Sequence, residues 1–419
     1  MHAADQEYDI AVVGGGPAGM MAAGRAAQLG KRVVLIEKNR GLGKKLLITG
    51  GGRCNVTNAE FDTRKLLAKF KDGGKFLASP FSQWAAEDSI RFFNERGMPT
   101  KIEAEKRVFP ESNTAQSVYD VLTNFLVSGK VTIMTDAAVK SVQAENGRIT
   151  GLQLKGGAAV RAKRYIFATG GTSHPETGST GDGYVWLTAL GHTVNSANAA
   201  LVPLAVKDMR IKRAAGVAIQ SAKITVLQNE TKQSSLVGKI LFTHVGLSGP
   251  ATLNMSREIG ELLKYGDVDI ELDLLPSSGY EKVNAALLES FATHANKKIR
   301  NALSPLLPPA LVPLILEIAE IAEDTPCNSV TREERVKLTK TLKHLRFQVD
   351  HLLGMDKAVV TAGGVALTEV DFKTMRSLKC ENLYIVGDLL DIDRPSGGYS
   401  LQLCWTTGFV AGTAAATAQ

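Results

Sequence analysis

Tyr8 to Gly19 reads YDIAVVGGGPAG, and Lys31 to Glu37 reads KRVVLIE. A short apolar run that breaks at glycines has the composition of a buried parallel strand. A helix-like stretch follows to about Leu29, and the second apolar run ends in an acid, Glu37. Strand, glycine turn, helix, strand and acid in this order form a dinucleotide-binding fingerprint. Its physics suits a pyrophosphate. Gly14 permits the tight turn, Gly16 lets backbone approach the phosphates, and Gly19 lets helix and strand close on each other. The helix start, with Pro17 and Ala18 in its first turn, offers amides and partial positive charge to the anion. Glu37 stands where a carboxylate accepts hydrogen bonds from ribose hydroxyls.

Later segments decide which dinucleotide. Asn382 to Asp388 reads NLYIVGD, an apolar strand ending in Gly387 and Asp388. An aspartate at a strand end can hold a ribityl hydroxyl, which FAD has and NAD lacks. Gly397-Gly398-Tyr399 then opens an apolar, helix-compatible run. Amides there would face the pyrimidine side of a flavin, where reduction builds negative charge. Arg164 to Gly171 (RYIFATGG) is a further buried strand that ends at Thr169 and Gly170. Alone, Gly387-Asp388 is an ordinary strand-to-turn junction; the three motifs in order point to FAD.

These pieces resemble the two-dinucleotide-binding-motif flavoproteins. Gly41 to Asn58 (GLGKKLLITGGGRCNVTN), Gly171 to Gly183, Leu241 to Pro250 (LFTHVGLSGP) and Thr361 to Val365 (TAGGV) narrow the resemblance. They look like the bile-acid-inducible, BaiN-like (YhiN-like) bacterial family of FAD-dependent oxidoreductases, over nearly the whole chain. The resemblance implies further cofactor contacts at Lys38, Lys45, Gly52, Arg53, Cys54, Asn55, Val139, Gly364 and Tyr399. It also implies the fold: an α/β Rossmann-type FAD-binding domain with an inserted antiparallel β-barrel domain and a small helical subdomain.

The residues support an insertion independently. From Leu201, strand-like runs such as LVPLAV, VAIQSAKITVLQ, GKILFTH and VDIELDLL alternate with polar turns. After Pro276 come segments with helical spacing, Glu281–Phe291, Ala310–Ile321 and Thr331–Leu345. The expected division is 1–200 and 353–419 for FAD, 201–275 with 331–352 for the barrel, and 276–330 for the helices.

Some chemistry is disfavoured by what is missing. Disulfide-reducing flavoproteins pair a cysteine near the position of Cys54 with a second one, but the partner position here is Ala59. Cys54 is therefore either a small buried residue or a lone reactive thiol. No second strand–GxGxxG–helix unit is present, so NAD(P)H would act only as a transient donor. The four scattered cysteines show no zinc-ligand spacing, no metal is expected, and reduced thiols in a cytoplasm are the plain reading. Met1–Glu7 lacks the pattern of a secretory signal, and no apolar run is long enough to span a membrane.

The chain of 419 residues carries a formal charge of +7, with basic clusters at 161–164, 207–213 and 296–300. That charge fits either an acidic partner such as RNA or an ordinary lysine-rich surface. Only 6% of the residues are aromatic, which does not advertise base stacking.

Thr180–Gly183 resembles the fumarate-reductase side of the flavoproteins, an analogy that favours hydride delivery to an activated C=C bond. Members of the resembled family reduce steroid-type enones or form dihydrouridine in ribosomal RNA. The expected substrate is uracil in ribosomal RNA; a steroid or bile-acid enone is the alternative. A non-catalytic flavin redox sensor and a dioxygen-using oxidase stay open. Candidate chemical groups are His244, His174, Arg394 and Tyr399. Each has a plainer reading: a loop histidine for the first two, a surface ion pair for Arg394, ring packing for Tyr399.

Overall fold

The computed structural model describes residues 8–354 and 360–418, without the side chains of 196–200 and 360–362. The N-terminal stretch Met1–Glu7 lies outside the described residues. The chain divides into two compact units, Met1–Ala199 with Val359–Gln419, and Ala200–Ala358.

The first unit is built on a five-stranded sheet in the order Leu383–Ile385, Ala162–Phe167, Tyr8–Val13, Val33–Ile36, Thr132–Met134. Every pairing is parallel, and Val13 lies opposite both Ile36 and Phe167. Helices cover such a sheet, so its strands are buried apolar runs rather than alternating ones. The helix Pro17–Gln28 packs on the long helix Tyr399–Thr417. Gly408 and Gly412 make that approach possible: a Cβ on either would lie 2.5 Å from the carbonyl oxygen of Ala18 or Ala22. Trp405, fully buried, donates from Nε1 to Val56 O at 2.8 Å and ties the long helix to the segment after Cys54.

The second unit holds a closed six-stranded barrel, in the order Leu204–Val206, Gly246–Ser248, Thr231–Phe242, Ala218–Gln228, Val268–Asp273, Leu345–Leu352. The alternation of Val268–Asp273, apolar side inward, shows its half-buried wall. Tyr280–Thr293, Ile299–Ala302, Val312–Ala319 and Arg332–Lys343 are helices that share its apolar core.

One helix lies among the strand-like runs read in the sequence. Pro250–Leu262 is a helix, started by Pro250 behind Gly249. The helical spacing read over Thr331–Leu345 is the helix Arg332–Lys343, begun by a reciprocal capping box: Thr331 Oγ1 accepts from Glu334 N, and the Glu334 carboxylate accepts from Thr331 N. The barrel is completed only by Leu345–Leu352.

Candidate flavin site

The first unit has a cleft of about 1230 Å³, open mouth included, against roughly 300–1,000 Å³ for common small-ligand sites. It is lined by the segments 13–18, 36–39, 43–46, 168–170 and 386–388, with Leu401 and Cys404 of the long helix. Gly14, at φ +107°, passes so close to Ala168 that a Cβ would lie 2.4 Å from its carbonyl oxygen. Gly19 is tighter still, with a Cβ position 1.9 Å from Gly14 O. Gly16 differs: a Cβ there would meet nothing within 4 Å, so its bareness serves the cleft. No side chain caps the helix that follows, which leaves its first amides for a ligand.

Glu37 is buried and held from both sides. Its Oε2 accepts from Gly15 N at 2.7 Å, and its Oε1 accepts from Asn39 N and Nδ2, each at 2.8 Å. Its remaining lone pairs can receive ribose hydroxyls. Lys45 Nζ donates to Ser173 Oγ at 3.0 Å; burial lowers its pKa, while the Asp388 carboxylate pulls it back up. Asp388 is itself gripped by Arg394 through Nη2. Arg394 spends its other donors on Ile392 O (2.7 Å) and Ser400 Oγ (3.0 Å) and is only 4% exposed. It is ion-paired, as one sequence reading had it, but buried rather than at the surface. It positions Asp388.

Of the expected cofactor residues, Gly14, Gly16, Pro17, Ala18, Glu37, Lys38, Lys45, Val139, Thr169, Gly170, Gly387 and Asp388 line this cleft. Lys38 reaches it while donating to Asp182 Oδ2 at 2.8 Å and Thr180 Oγ1 at 2.5 Å. Gly19, Gly52, Arg53, Cys54, Asn55, Gly364, Gly397, Gly398 and Tyr399 do not line it. Their contacts explain why. Arg53 is engaged by Glu103 (2.5 Å) and Asn113 (2.6 Å) and lies over the Phe109 ring. Cys54 is fully buried and its thiol is pushed up to about 12, which favours the reading as a packed, unreactive residue.

Asn55 accepts from Gly398 N at 3.0 Å and donates to Thr57 O at 3.0 Å and Val108 O at 3.2 Å, in the amide orientation that satisfies both ends. Asn58 donates to Gly397 O at 3.1 Å, so residues 55–58 and 397–398 form one seam. Gly364, at φ +139°, lies beside the Gly387–Leu390 turn: a Cβ would be 2.7 Å from Leu389 O.

The proposed chemical groups scatter. Tyr399 is buried against Phe70, ring edge to face at 6.0 Å. His174 lies on a turn, its Nδ1 2.8 Å from Glu176 Oε1, and does not line the cleft. His244 is an exposed residue of the barrel unit. Cleft residues that the sequence reading missed include Asn39, Ser179, Asp182, Trp186 and Cys404. Asn39 follows the ribose acid closely and was within reach of the fingerprint, Ser179 and Asp182 lie within the Gly171–Gly183 motif, and Trp186 and Cys404 carry none.

A family profile described as "HI0933-like protein Rossmann domain" matches residues 8–414. The chain belongs to the HI0933-like Rossmann family. Over 97% of its length it is 32% identical to a 3-dehydro-bile acid delta(4,6)-reductase from Clostridium scindens, covering 98% of that protein. Over 96% it is 31% identical to a ribosomal RNA dihydrouridine synthase from Escherichia coli, covering 97% of that one. Among solved structures, 3-ketosteroid delta1-dehydrogenase from Sterolibacterium denitrificans shares the fold, with a TM-score of 0.58 at 14% identity over 99% of this chain and all of that one. The HI0933-like chain is thus an FAD-dependent oxidoreductase.

Its residues fit the cofactor. Thr169 lines the cleft with a buried Oγ1 that has no partner among the described residues, an unmet polar atom of the kind a ligand satisfies. The bare Gly16 and the uncapped helix start match a pyrophosphate, Glu37 a ribose, and Asp388 a ribityl hydroxyl. No described helix is long and apolar enough to cross a membrane, and no described His, Cys, Asp and Glu side chains form a group that could hold a metal.

Proposed function

We propose that this protein reduces a carbon–carbon double bond conjugated to a carbonyl, and that the bond belongs to a uracil of ribosomal RNA, giving dihydrouridine. Bound FAD supplies the hydride, with NAD(P)H as the transient donor that reduces it. The RNA reading rests on where the charge lies. The unit with the flavin cleft carries 29 Lys and Arg against 24 Asp and Glu; the inserted unit carries 20 against 18. The excess thus resides mainly with the chemistry, where a polyanionic substrate must come.

This shifts the expected RNA contact away from the inserted clusters. Lys207 faces Asp267 (3.4 Å), Arg210 pairs with Asp208 (2.6 Å) and Arg213 with Glu317 (2.8 Å). Lys298 and Arg300 share Asp324, at 3.0 and 3.2 Å.

The chain's own residues divide the remaining work. Gly16 and the helix start hold the pyrophosphate, and Arg394 fixes Asp388 toward the ribityl chain. Tyr399 does not line the cleft itself but adjoins Ser400 and Leu401, which do, and it is the group assigned to the second proton. Its hydroxyl makes no hydrogen bond to a described residue, and burial raises its pKa above the ordinary tyrosine value, so the phenol is protonated at neutral pH.

A bile-acid or steroid enone is the second reading, favoured by the apolar lining of Val13, Ile36, Leu46, Trp186 and Leu401. The deciding experiment is anaerobic. FAD-loaded protein is reduced with NADPH, then mixed with ribosomal RNA lacking dihydrouridine or with a steroid enone. Flavin reoxidation with dihydrouridine in the RNA is the expected result; reoxidation by the enone alone would replace it with the second reading.

A further inference from the structure

Phe61 to Lys75 reads FDTRKLLAKFKDGGK, five cations in a short stretch whose acids are Asp62 and Asp72. Asp62 caps the helix Thr63–Ala68 by accepting from Arg64 N at 3.0 Å and Lys65 N at 3.2 Å. Leu66 and Phe70 turn inward and are buried, so the apolar face of the segment is already used. Arg64, Lys65, Lys69, Lys71 and Lys75 are all exposed. Lys71 pairs with Asp393 at 2.8 Å, and Lys65 lies a loose 3.8 Å from Asp62. Arg64, Lys69 and Lys75 form no ion pair with a described residue. Beside them Phe61 stands 51% exposed, an aromatic ring left in water among cations.

The face is placed next to the flavin side of its unit. Phe70 packs on Tyr399, and a Cβ on Gly73 would lie 3.0 Å from Ile392, two residues before Arg394.

We infer that this basic face, Arg64, Lys69 and Lys75 with Phe61, is the surface on which single-stranded RNA docks beside the active site. The inference rests on the RNA reading above and deepens it. A uracil must leave its stack to reach a buried reactive group, so the phosphates on either side need holding close to the opening. Unpaired cations supply that hold without reading sequence, and an exposed aromatic ring supplies a stacking partner for a neighbouring base. A membrane surface fits less well, because the apolar side chains of the helix point into the protein.

The test compares two sets of substitutions in the FAD-loaded full chain, R64A/K69A/K75A and K297A/K298A/R300A. The probe is a transcribed ribosomal RNA fragment free of dihydrouridine, titrated at several salt concentrations. The first set should make the slope of log affinity against log salt shallower by about two units, at roughly 0.7 for each single-strand phosphate that is no longer neutralised. F61A should weaken binding by about tenfold at fixed salt. FAD content and reduction by NADPH should not change in either set, which shows that the fold survives. The inserted set should leave the slope unaltered.

If the unsubstituted protein binds and modifies the RNA but R64A/K69A/K75A keeps its slope, the surface is wrong and the RNA reading stands. If the unsubstituted protein neither binds nor modifies the RNA, the RNA reading falls and this surface with it.

Discussion

Gly14–Gly19 and Gly50–Gly52 are both glycine-rich turns, and both read as cofactor contacts in the sequence. They do different jobs. In the first, bareness serves close approach: Gly14 and Gly19 clear neighbouring backbone, and Gly16 clears the cleft. In the second, bareness serves handedness. Gly50, Gly51 and Gly52 take φ values of +57°, +68° and +80°, a run that L side chains resist. The turn they make leads into Cys54, which is itself left-handed at φ +59°, and then into the seam with Gly397 and Gly398. Glycine in a sequence reports that a side chain is unwelcome; only the strand and helix around it say whether a ligand or the chain itself is the reason.

Substitutions can break this contrast. Gly19→Ala should have the largest effect, because the added carbon meets backbone that cannot swing away; loss of folded, FAD-containing protein is expected. Stoichiometric FAD with a Tm change below about 2 °C would refute the close-packing role. Tyr399→Phe tests whether the seam carries chemistry as well as structure. It should lower the rate of substrate reduction by about 100-fold or more while FAD content holds. An unchanged rate would leave Tyr399 as a packing residue.

Asn55→Ala removes the amide that joins the two halves of the seam and should cost about 1–3 kcal/mol in denaturant unfolding. A normal unfolding midpoint would mean the seam is held elsewhere. Gly16→Ala should act in the opposite sense. Residue 16 has φ −79°, which alanine accepts, so the apoprotein should keep its stability while FAD affinity drops about tenfold, or 1.4 kcal/mol. Equal losses of stability and affinity would erase the distinction between the two turns. The smallest effect concerns Cys54: with its thiol pushed up to about 12 and no exposure, native protein at pH 8 should resist alkylation there. Rapid labelling would restore the reactive-thiol reading.

The sheet and the first turn were legible because local signals agree there: apolar strands, a glycine spacing and an acid at a strand end. Glu37 and Asp388 were found by the same logic. What holds them was not, since Gly15 N and the Asn39 amide on one carboxylate and Arg394 on the other are matters of side-chain direction. Arg53 shows the limit of the same logic. It belongs to a distinctive motif, yet its guanidinium turns to Glu103 and Asn113, partners far along the chain that no spacing rule can supply. The barrel's closing strand Leu345–Leu352 was obscured for a similar reason, because the capping box at Thr331 hands the preceding residues to a helix. Trp186 and Cys404 reach the cleft from apolar helices whose composition marks them only as core.

The parallel sheet has a consequence for biosynthesis. Its first strand, Tyr8–Val13, and its edge strand, Leu383–Ile385, emerge from the ribosome on either side of the whole barrel unit. The barrel is contiguous in the chain and can close on itself as soon as Leu345–Leu352 has been made. The glycine turn must wait for Asp388 and the helix Tyr399–Thr417 before its cleft has a far wall. Contacts this distant in sequence form slowly, and domains tend to fold in the order they are made. Flavin capture is therefore a late step in the life of each new chain, and a ribosome stalled before Leu383 would carry a finished barrel beside a half-built nucleotide fold.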